Sequence, residues 1–395
     1  MLKLFIIVIA LLCFGCSNQN KQESKSDIIS RVSQQMKFAV QLADQVKDSV
    51  LVAPRTIENG KLKLVRARDW TSGFFAGNLW MVYDLTGDEI WKEKAIEYTL
   101  PLEQEQWDGG THDLGFKMFN SFGKAYQFTG NEAYKNVVIQ SAKTLATRFN
   151  PKVGCIRSWD HNADKWDFPV IIDNMMNLEM LMWVAKETGN DTLRQIAISH
   201  AQTTAKNHFR EDNSSYHVID YNPETGEVEN RNTHQGYSDE SAWARGQAWG
   251  LYGFTMMYRE TGMEEFLVQA EKIAGFILNQ KGIKEGQIPY WDFNAPNIPD
   301  EPYDASAAAI IVSALYELST YSNNGKEYKE VANRLFETLS SPEFSATVGE
   351  NQGFLLKHST GHLPGGSEID VPLVYADYYY LESIIKMKNM ERIKK

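Results

Sequence analysis

The chain has 395 residues, 43 % of them hydrophobic, and a formal charge of −11 from 40 Lys and Arg against 51 Asp and Glu. That balance, with no visible Lys/Arg cluster, argues against nucleic acid as a partner, because phosphate binding needs concentrated positive charge. Cysteines stand only at 13, 16 and 155, so neither a disulfide framework nor a cysteine-based metal site is expected.

In chain order, the start reads Met1, Leu2, Lys3, an apolar block from Leu4 to Phe14, then Gly15 and Cys16. A charged start, a short hydrophobic core and a small residue before a cysteine make a bacterial lipoprotein signal. The block is too short to span a bilayer. Cys13 stands where leucine is usual, a small departure from the pattern. Residues 1–16 are therefore expected to be a signal with Cys16 the lipidated residue, and the polar stretch 17–27 a flexible tether. No Pro/Gly/Ser-rich stretch divides the remainder, so 28–395 reads as one domain. The expected setting is the cell envelope, with the membrane as partner through the lipid on Cys16 and the periplasmic or outer face left open.

Thr-Gly pairs recur at 86/87, 129/130, 188/189 and 261/262, and Asn323-Asn324-Gly325 reads as a fifth break. Glycine after an apolar-periodic run is a helix stop. After Gly130 the residues Tyr134, Val137, Val138, Leu145 and Phe149 share one face, as on an outer helix. Before Gly189 the run Met175 to Val184 is apolar nearly all round, as in a buried inner helix. The pattern predicts helices over 28–48, 72–85, 88–99, 115–128, 131–148, 173–187, 190–209, 242–260, 262–280, 304–320, 325–339 and 374–388. Twelve helices alternating inner and outer predict an all-α fold, an (α/α)6 barrel. Irregular spacing and long insertions favour that closed toroid over an open solenoid.

Unusual residues gather just before the inner helices and would converge on one mouth: Arg68 to Phe74, Thr111 to Phe116, Asp173-Asn174, Asp239 to Trp249, Tyr303-Asp304 and Tyr375 to Tyr380. Aromatic rings beside carboxylates suit a glycan pocket, although Trp and Tyr also fill wide cores. Asp113 and Asp173 are the candidates for acid/base work, and either is also a credible helix N-cap. Asp173 lies between Val170-Ile171-Ile172 and Met175-Met176, where a carboxyl favours its protonated form and serves as a proton donor. His217, His234 and Gln235 lie in long insertions, where binding residues concentrate. Arg245 is placed to pin either a substrate carboxylate or an internal aspartate. His112, His217 and His234 lack metal-ligand spacing and no phosphate loop is present. No metal and no cofactor is therefore expected.

The strings Trp70-Thr71-Ser72-Gly73-Phe74, Thr111-His112-Asp113-Leu114-Gly115-Phe116, Ile171-Ile172-Asp173-Asn174-Met175, Thr233-His234-Gln235-Gly236, Ser241 through Trp249 and Pro372 through Tyr379 run in order over nearly all of residues 65–385. In them the chain resembles the unsaturated glucuronyl hydrolases, family 88 of the glycoside hydrolases. The resemblance implies an (α/α)6 barrel that removes a 4,5-unsaturated uronic acid from the non-reducing end of acidic oligosaccharides left by polysaccharide lyases. It also implies a mechanism outside the paired-carboxylate scheme. The position matching Asp173 protonates C4 and activates the water that adds at C5, and the position matching Asp113 holds ring hydroxyls and steadies developing positive charge. The same resemblance implies that His217, Gln235, Arg245 and Trp249 contact the uronate, and that Trp70, Trp159 and Tyr375 or a neighbouring tyrosine build stacking walls. Lys357 and Ser359 fall where relatives meet the next sugar and are expected to accept a sulfated one. Unsaturated rhamnogalacturonyl hydrolases share barrel and chemistry, but Arg245 through Trp249 and Thr233 through Gly236 favour the glucuronyl group. A non-catalytic glycan-binding lipoprotein would need the aromatics and the anchor, but not an aspartate in the setting of Asp173.

Overall fold

The computed structural model describes residues 25–392. Cys16 and the tether up to residue 24 lie outside the described residues, and helix begins at Lys25, three residues earlier than expected.

Four helices that end at a Thr-Gly pair share one construction. Helices α2 (Ser72–Thr86), α4 (Lys124–Thr129), α6 (Leu178–Thr188) and α8 (Ala244–Thr261) stop at Gly87, Gly130, Gly189 and Gly262, all with φ between 65 and 69°. That left-handed turn suits glycine, and each glycine N–H returns to a carbonyl of the last turn. Asp88, Asn131 and Asn190 follow at once and cap the outer helices α3 (Glu89–Thr99), α5 (Glu132–Ala146) and α7 (Asp191–Asn207) by accepting a backbone N–H. The expected fifth stop is different. The tenth helix, α10 (Ala305–Leu318), ends before Asn323-Asn324-Gly325, and Gly325 is the first residue of α11 (Gly325–Ser340).

The inner helices α2, α4, α6, α8, α10 and α12 (Val374–Arg392) follow one another around a ring, and α12 packs on α2 to close it. One hydrophobic cluster runs through them and through the outer helices α1 (Lys25–Val46), α3, α5, α7, α9 (Glu264–Leu278) and α11. The (α/α)6 reading is therefore correct. Packing is close enough that a Cβ on Gly73 would sit 2.2 Å from the Lys117 carbonyl oxygen and 2.4 Å from that of Phe116.

Two inner helices begin irregularly, where regular α-helix was expected. The second opens as a π-helix, Gly115–Gly123, and the third as a 3₁₀ turn, Ile172–Asn177. They lie against each other: Asn177 Oδ1 accepts the Phe116 N–H at 3.1 Å, a first-turn donor that the helix itself cannot satisfy. Each follows or contains one of the two candidate aspartates.

Seven short strands among the described residues were not foreseen. Strands β1 (Ala53–Glu58) and β2 (Lys61–Val65) form a hairpin, as do β3 (Phe149–Asn150) and β4 (Cys155–Ile156). Strands β5 (Pro169–Ile171), β6 (Val218–Tyr221) and β7 (Val228–Asn232) make an antiparallel sheet. This sheet positions the site. Ile171 pairs with Val218 and the Ile172 N–H donates to the His217 carbonyl at 3.1 Å, which sets His217 beside Asp173.

Candidate active site

Neither aspartate is a helix cap. Asp113 Oδ2 accepts the Thr111 hydroxyl at 2.9 Å, and Asp173 lies inside the 3₁₀ turn with its Oδ2 buried and without a hydrogen-bond partner. Burial pushes the Asp173 carboxyl up to about 7; the Arg245 charge opposes the rise and Asp113 adds to it. The site thus holds a carboxyl group that is about half protonated at neutrality, where a free aspartate is ionised.

Facing it, His217 Nε2 lies 3.9 Å from Asp173 Oδ2. His217 Nδ1 accepts the backbone N–H groups of His234 at 3.1 Å and Gln235 at 3.2 Å. The proton of the neutral ring must then sit on Nε2, aimed toward Asp173. Burial, reinforced by His234 and Arg245, holds the His217 pKa well below its usual value, so this ring is a neutral donor. Asp173 Oδ2, His217 Nε2 and Trp249 Nε1 are buried without close hydrogen-bond partners in one neighbourhood, and the Trp249 indole is near enough to Asp173 to oppose the rise of its pKa. Such atoms are costly unless something fills them.

Arg245 resolves its two alternatives toward the internal one. Its Nη1 donates to Asp304 Oδ2 at 2.7 Å and to the Thr360 carbonyl at 2.6 Å, and its Nη2 to the Gly361 carbonyl at 2.6 Å. Arg245 and Asp304 are 1 % and 0 % exposed. The guanidinium therefore acts on Asp173 through its charge, while Asp304 also caps α10. Gln235 Nε2 donates to the same Gly361 carbonyl at 3.0 Å, and His362 Nε2 meets the His234 carbonyl at 3.0 Å. The 359–362 segment is thereby stitched across the mouth.

Trp70 and Trp159 are half-buried. Trp159 stands 5.9 Å from His217 and 5.2 Å from His234. Trp70 packs 5.0 Å from Tyr375 and 5.6 Å from Phe116, and Phe116 leads on to Trp249 at 5.3 Å. Tyr375 and Trp249 are fully buried beneath Trp70, whereas Trp70 and Trp159 each keep part of their surface exposed. Ser359 is buried next to Thr360, its hydroxyl without a partner. Lys357 donates to the Pro342 carbonyl at 2.7 Å, away from the Asp113–Asp173 cluster.

Several participants escaped the sequence reading. Arg55 holds Glu368 through two bonds, 2.6 and 2.9 Å, and Asp69 at 2.8 Å, fixing the residue next to Trp70. Nothing local in the sequence joins positions 55, 69 and 368. Ser158 is a second case: its hydroxyl accepts the Ile171 N–H at 3.0 Å and the Asn174 amide at 3.3 Å, on either side of Asp173.

Comparison with known proteins decides the kinship. The family model Glycosyl Hydrolase Family 88 matches residues 42–392. The chain belongs to glycoside hydrolase family 88. It is 46 % identical over 385 residues to an unsaturated glucuronyl hydrolase of Formosa agariphila, covering 96 % of this chain and 94 % of that protein. An unsaturated glucuronyl hydrolase of Bacillus sp. GL1 is 32 % identical over 330 residues, 81 % of this chain and 86 % of that one. Among solved structures, an unsaturated glucuronyl hydrolase specific for heparin superposes with a TM-score of 0.89 at 46 % identity, covering 93 % of this chain and 99 % of the other. A Streptococcus agalactiae variant complexed with dGlcA-GalNAc6S superposes with a TM-score of 0.76 at 27 % identity, covering 93 % of both chains. Family membership makes the chain an enzyme and accounts for its barrel.

Proposed function

We propose that this family 88 enzyme removes a 4,5-unsaturated uronic acid from the non-reducing end of a glycosaminoglycan-type oligosaccharide by hydrating the C4=C5 bond. The observation that carries the reading is the Asp173 carboxyl, raised to about 7 by burial and set among donors without close partners. A vinyl ether needs one good proton donor. Asp173 delivers its proton to C4, and positive charge spreads over C5 and the ring oxygen. The resulting carboxylate then takes a proton from the water that bonds to C5. The hydrated product is a hemiketal, which opens and releases the rest of the oligosaccharide without further help. Asp113 steadies the developing charge, His217 and Trp249 donate to the uronate, Gln235 lines the same edge, and Trp70 and Trp159 enclose the ring.

Heparin-type disaccharides are the first substrate class to test, because the solved relative at 46 % identity is specific for heparin. Disappearance of the ultraviolet band of the double bond, followed on lyase products of heparin, chondroitin and ulvan, tests both reaction and preference. Turnover by wild type and not by Asp173→Asn supports the assignment; no turnover of any of the three refutes it. Lys357 and Ser359 are assigned to a sulfated neighbouring sugar. Equal rates on sulfated and unsulfated disaccharides in wild type and Lys357→Ala would remove that assignment.

We further propose anchorage through a lipid on Cys16. Inner helices run from the mouth to the far end, and α3 runs back toward the mouth. Asp44, near the end of α1, bonds Tyr98 near the end of α3 at 2.8 Å. The end of α1 is thus tied to the end of α3, and Arg31 near its start bonds Tyr380 of α12 at 3.3 Å, so the first described helix is held to the barrel along its length. Labelled palmitate entering the wild-type chain but not Cys16→Ser is the expected result.

A further inference from the structure

Nothing local in the sequence marks Arg148, which follows the outer helix α5 and stands just before β3. The β3–β4 hairpin brings the chain back to it. Phe149 pairs with Ile156, and the ladder continues in the Arg157 N–H, which donates to the Arg148 carbonyl at 3.0 Å. A guanidinium carries five N–H donors in a rigid fork, and here each one has an acceptor. Nε donates to the Arg157 carbonyl at 2.9 Å. Nη1 donates to the Gly109 carbonyl at 2.6 Å and to Asp160 Oδ2 at 2.9 Å. Nη2 donates to the Ser158 carbonyl at 3.3 Å and to Asp160 Oδ1 at 2.9 Å. The Arg148 side chain is 6 % exposed, and its bonds to Asp160 are the first cause holding that carboxyl below the usual range.

Four of these five bonds fall on the residues around Trp159. Arg157 Nε completes the frame by donating to the Trp159 carbonyl at 2.9 Å. The fifth goes to Gly109, on the connection that runs into Thr111-His112-Asp113. The same two segments meet again at the Ser158 carbonyl, which His112 Nδ1 approaches to 3.0 Å. With every donor engaged, Arg148 has none left for a ligand. What it can do is hold two segments at one spacing.

We propose that Arg148 is a positioning residue that fixes the Trp159 ring against the segment carrying Asp113 before substrate arrives. Its use in the reaction rests on the hydrolase reading. A half-buried ring on a slack loop has to be ordered when the sugar binds, and that conformational entropy is subtracted from the stacking contact. The frame removes the cost. The two arms of the fork have separable effects: slack at Trp159 weakens binding and raises KM, whereas slack at Gly109 reaches Asp113 and lowers kcat.

The first test needs no substrate. The chain has ten tryptophans, few enough to follow as separate ¹⁹F lines after labelling with 5-fluorotryptophan. Trp159 is identified by the line lost in Trp159→Phe, and Trp70 by the line lost in Trp70→Phe. Trp70 has its own tie, from Arg55 to the adjacent Asp69, and serves as the control. In Arg148→Met the Trp159 line should shift or broaden while the Trp70 line stays. A Trp159 line that stays in place, or tryptophan lines that all move together, would make Arg148 a stabiliser of the fold and overturn the proposal. If Arg148→Met does not fold, Asp160→Asn removes the charged partner of the fork and leaves the carbonyl acceptors. The same selective movement then supports the proposal, and an unmoved Trp159 line overturns it.

The second test is a kinetic cycle on a lyase-generated heparin disaccharide. Arg148→Met should raise KM about three- to tenfold and lower kcat about three- to tenfold. In a Trp159→Ala background its effect on KM should shrink below about twofold, because the ring it positions is gone, while the fall in kcat persists. Effects on KM that multiply in full would overturn the proposal. Failure of the hydrolase reading appears separately, as a wild type that leaves the double bond intact, and the ¹⁹F lines still decide whether Arg148 holds Trp159.

Discussion

Replacing Asp173 by Asn tests the electrostatic argument in two ways that need not agree. An amide cannot deliver a proton, so kcat should fall by about 10²–10⁴-fold, the usual contribution of a placed general acid. The second effect is on stability. The buried carboxyl titrates at about 7 in the folded protein against 3.8 for the free group. Between those values the native state holds a proton that the unfolded chain has released, so stability drops as pH rises from about 4 to about 7 and is level above. The gap corresponds to about 4 kcal/mol at pH 8, at about 1.4 kcal/mol per pH unit. Asp173→Asn carries no such penalty. For a chain of this size the entropy of unfolding near the midpoint is about 0.8 kcal/mol/K. The variant should therefore match wild type near pH 4 and melt about 3–5 °C higher at pH 8. Asp377, buried and also raised to about 7, is common to both proteins and cancels in the difference. Melting curves from pH 4 to 8 measure it. A difference that stays constant across that range would show that burial does not raise Asp173, and the proton-donor argument would fall with it.

Arg245→Met should destabilise the fold by about 3–5 kcal/mol, because it leaves the fully buried Asp304 without its charge partner; denaturant titration at neutral pH measures the loss, and a change under 1 kcal/mol would contradict the pairing. The same substitution removes the charge opposing the rise of Asp173, so the alkaline limb of residual activity should move upward. Trp159→Ala removes the half-buried wall beside His217 and His234 and should raise KM about tenfold with kcat little changed. Steady-state kinetics in which kcat falls while KM stays would instead assign Trp159 to the chemistry.

How far the sequence could be read follows from what each feature depends on. The barrel was legible because Thr-Gly stops and apolar periodicity are local signals, and four of the stops are built alike. Gly325 misled because the same residue type that closes a helix in the left-handed conformation here opens one. The raised pKa of Asp173 was legible from its apolar neighbours alone, and the structure adds His217 as the group that faces it. The tautomer of His217 was not legible, since it depends on backbone N–H groups of residues 234 and 235. The irregular starts of the second and third inner helices were hidden for a related reason: Asn177 takes the Phe116 N–H across 61 positions. The strands β5 to β7 were missed because they are short and lie inside insertions, yet their pairing sets His217 against Asp173.

The site must also capture an anion on a chain whose formal charge is −11, so long-range attraction works against binding. Recognition then depends on short-range groups: neutral donors such as His217 Nε2, and the N-termini of inner helices, whose dipoles point positive charge at the mouth. Arg245 cannot supply a free cation, because Asp304 and two carbonyls already engage it. The two contributions separate by salt. At about 0.01 M ionic strength charges act over roughly 30 Å, and at 0.15 M over roughly 8 Å. The repulsion should be screened away while contacts inside the mouth survive. Accordingly kcat/KM for an anionic disaccharide should rise about two- to fivefold between those salt concentrations. The rate for its uronate methyl ester, measured side by side, should change little. A fall for the free acid as salt increases would mean that the mouth projects a positive field beyond its own walls, and that recognition begins in solution and not at contact.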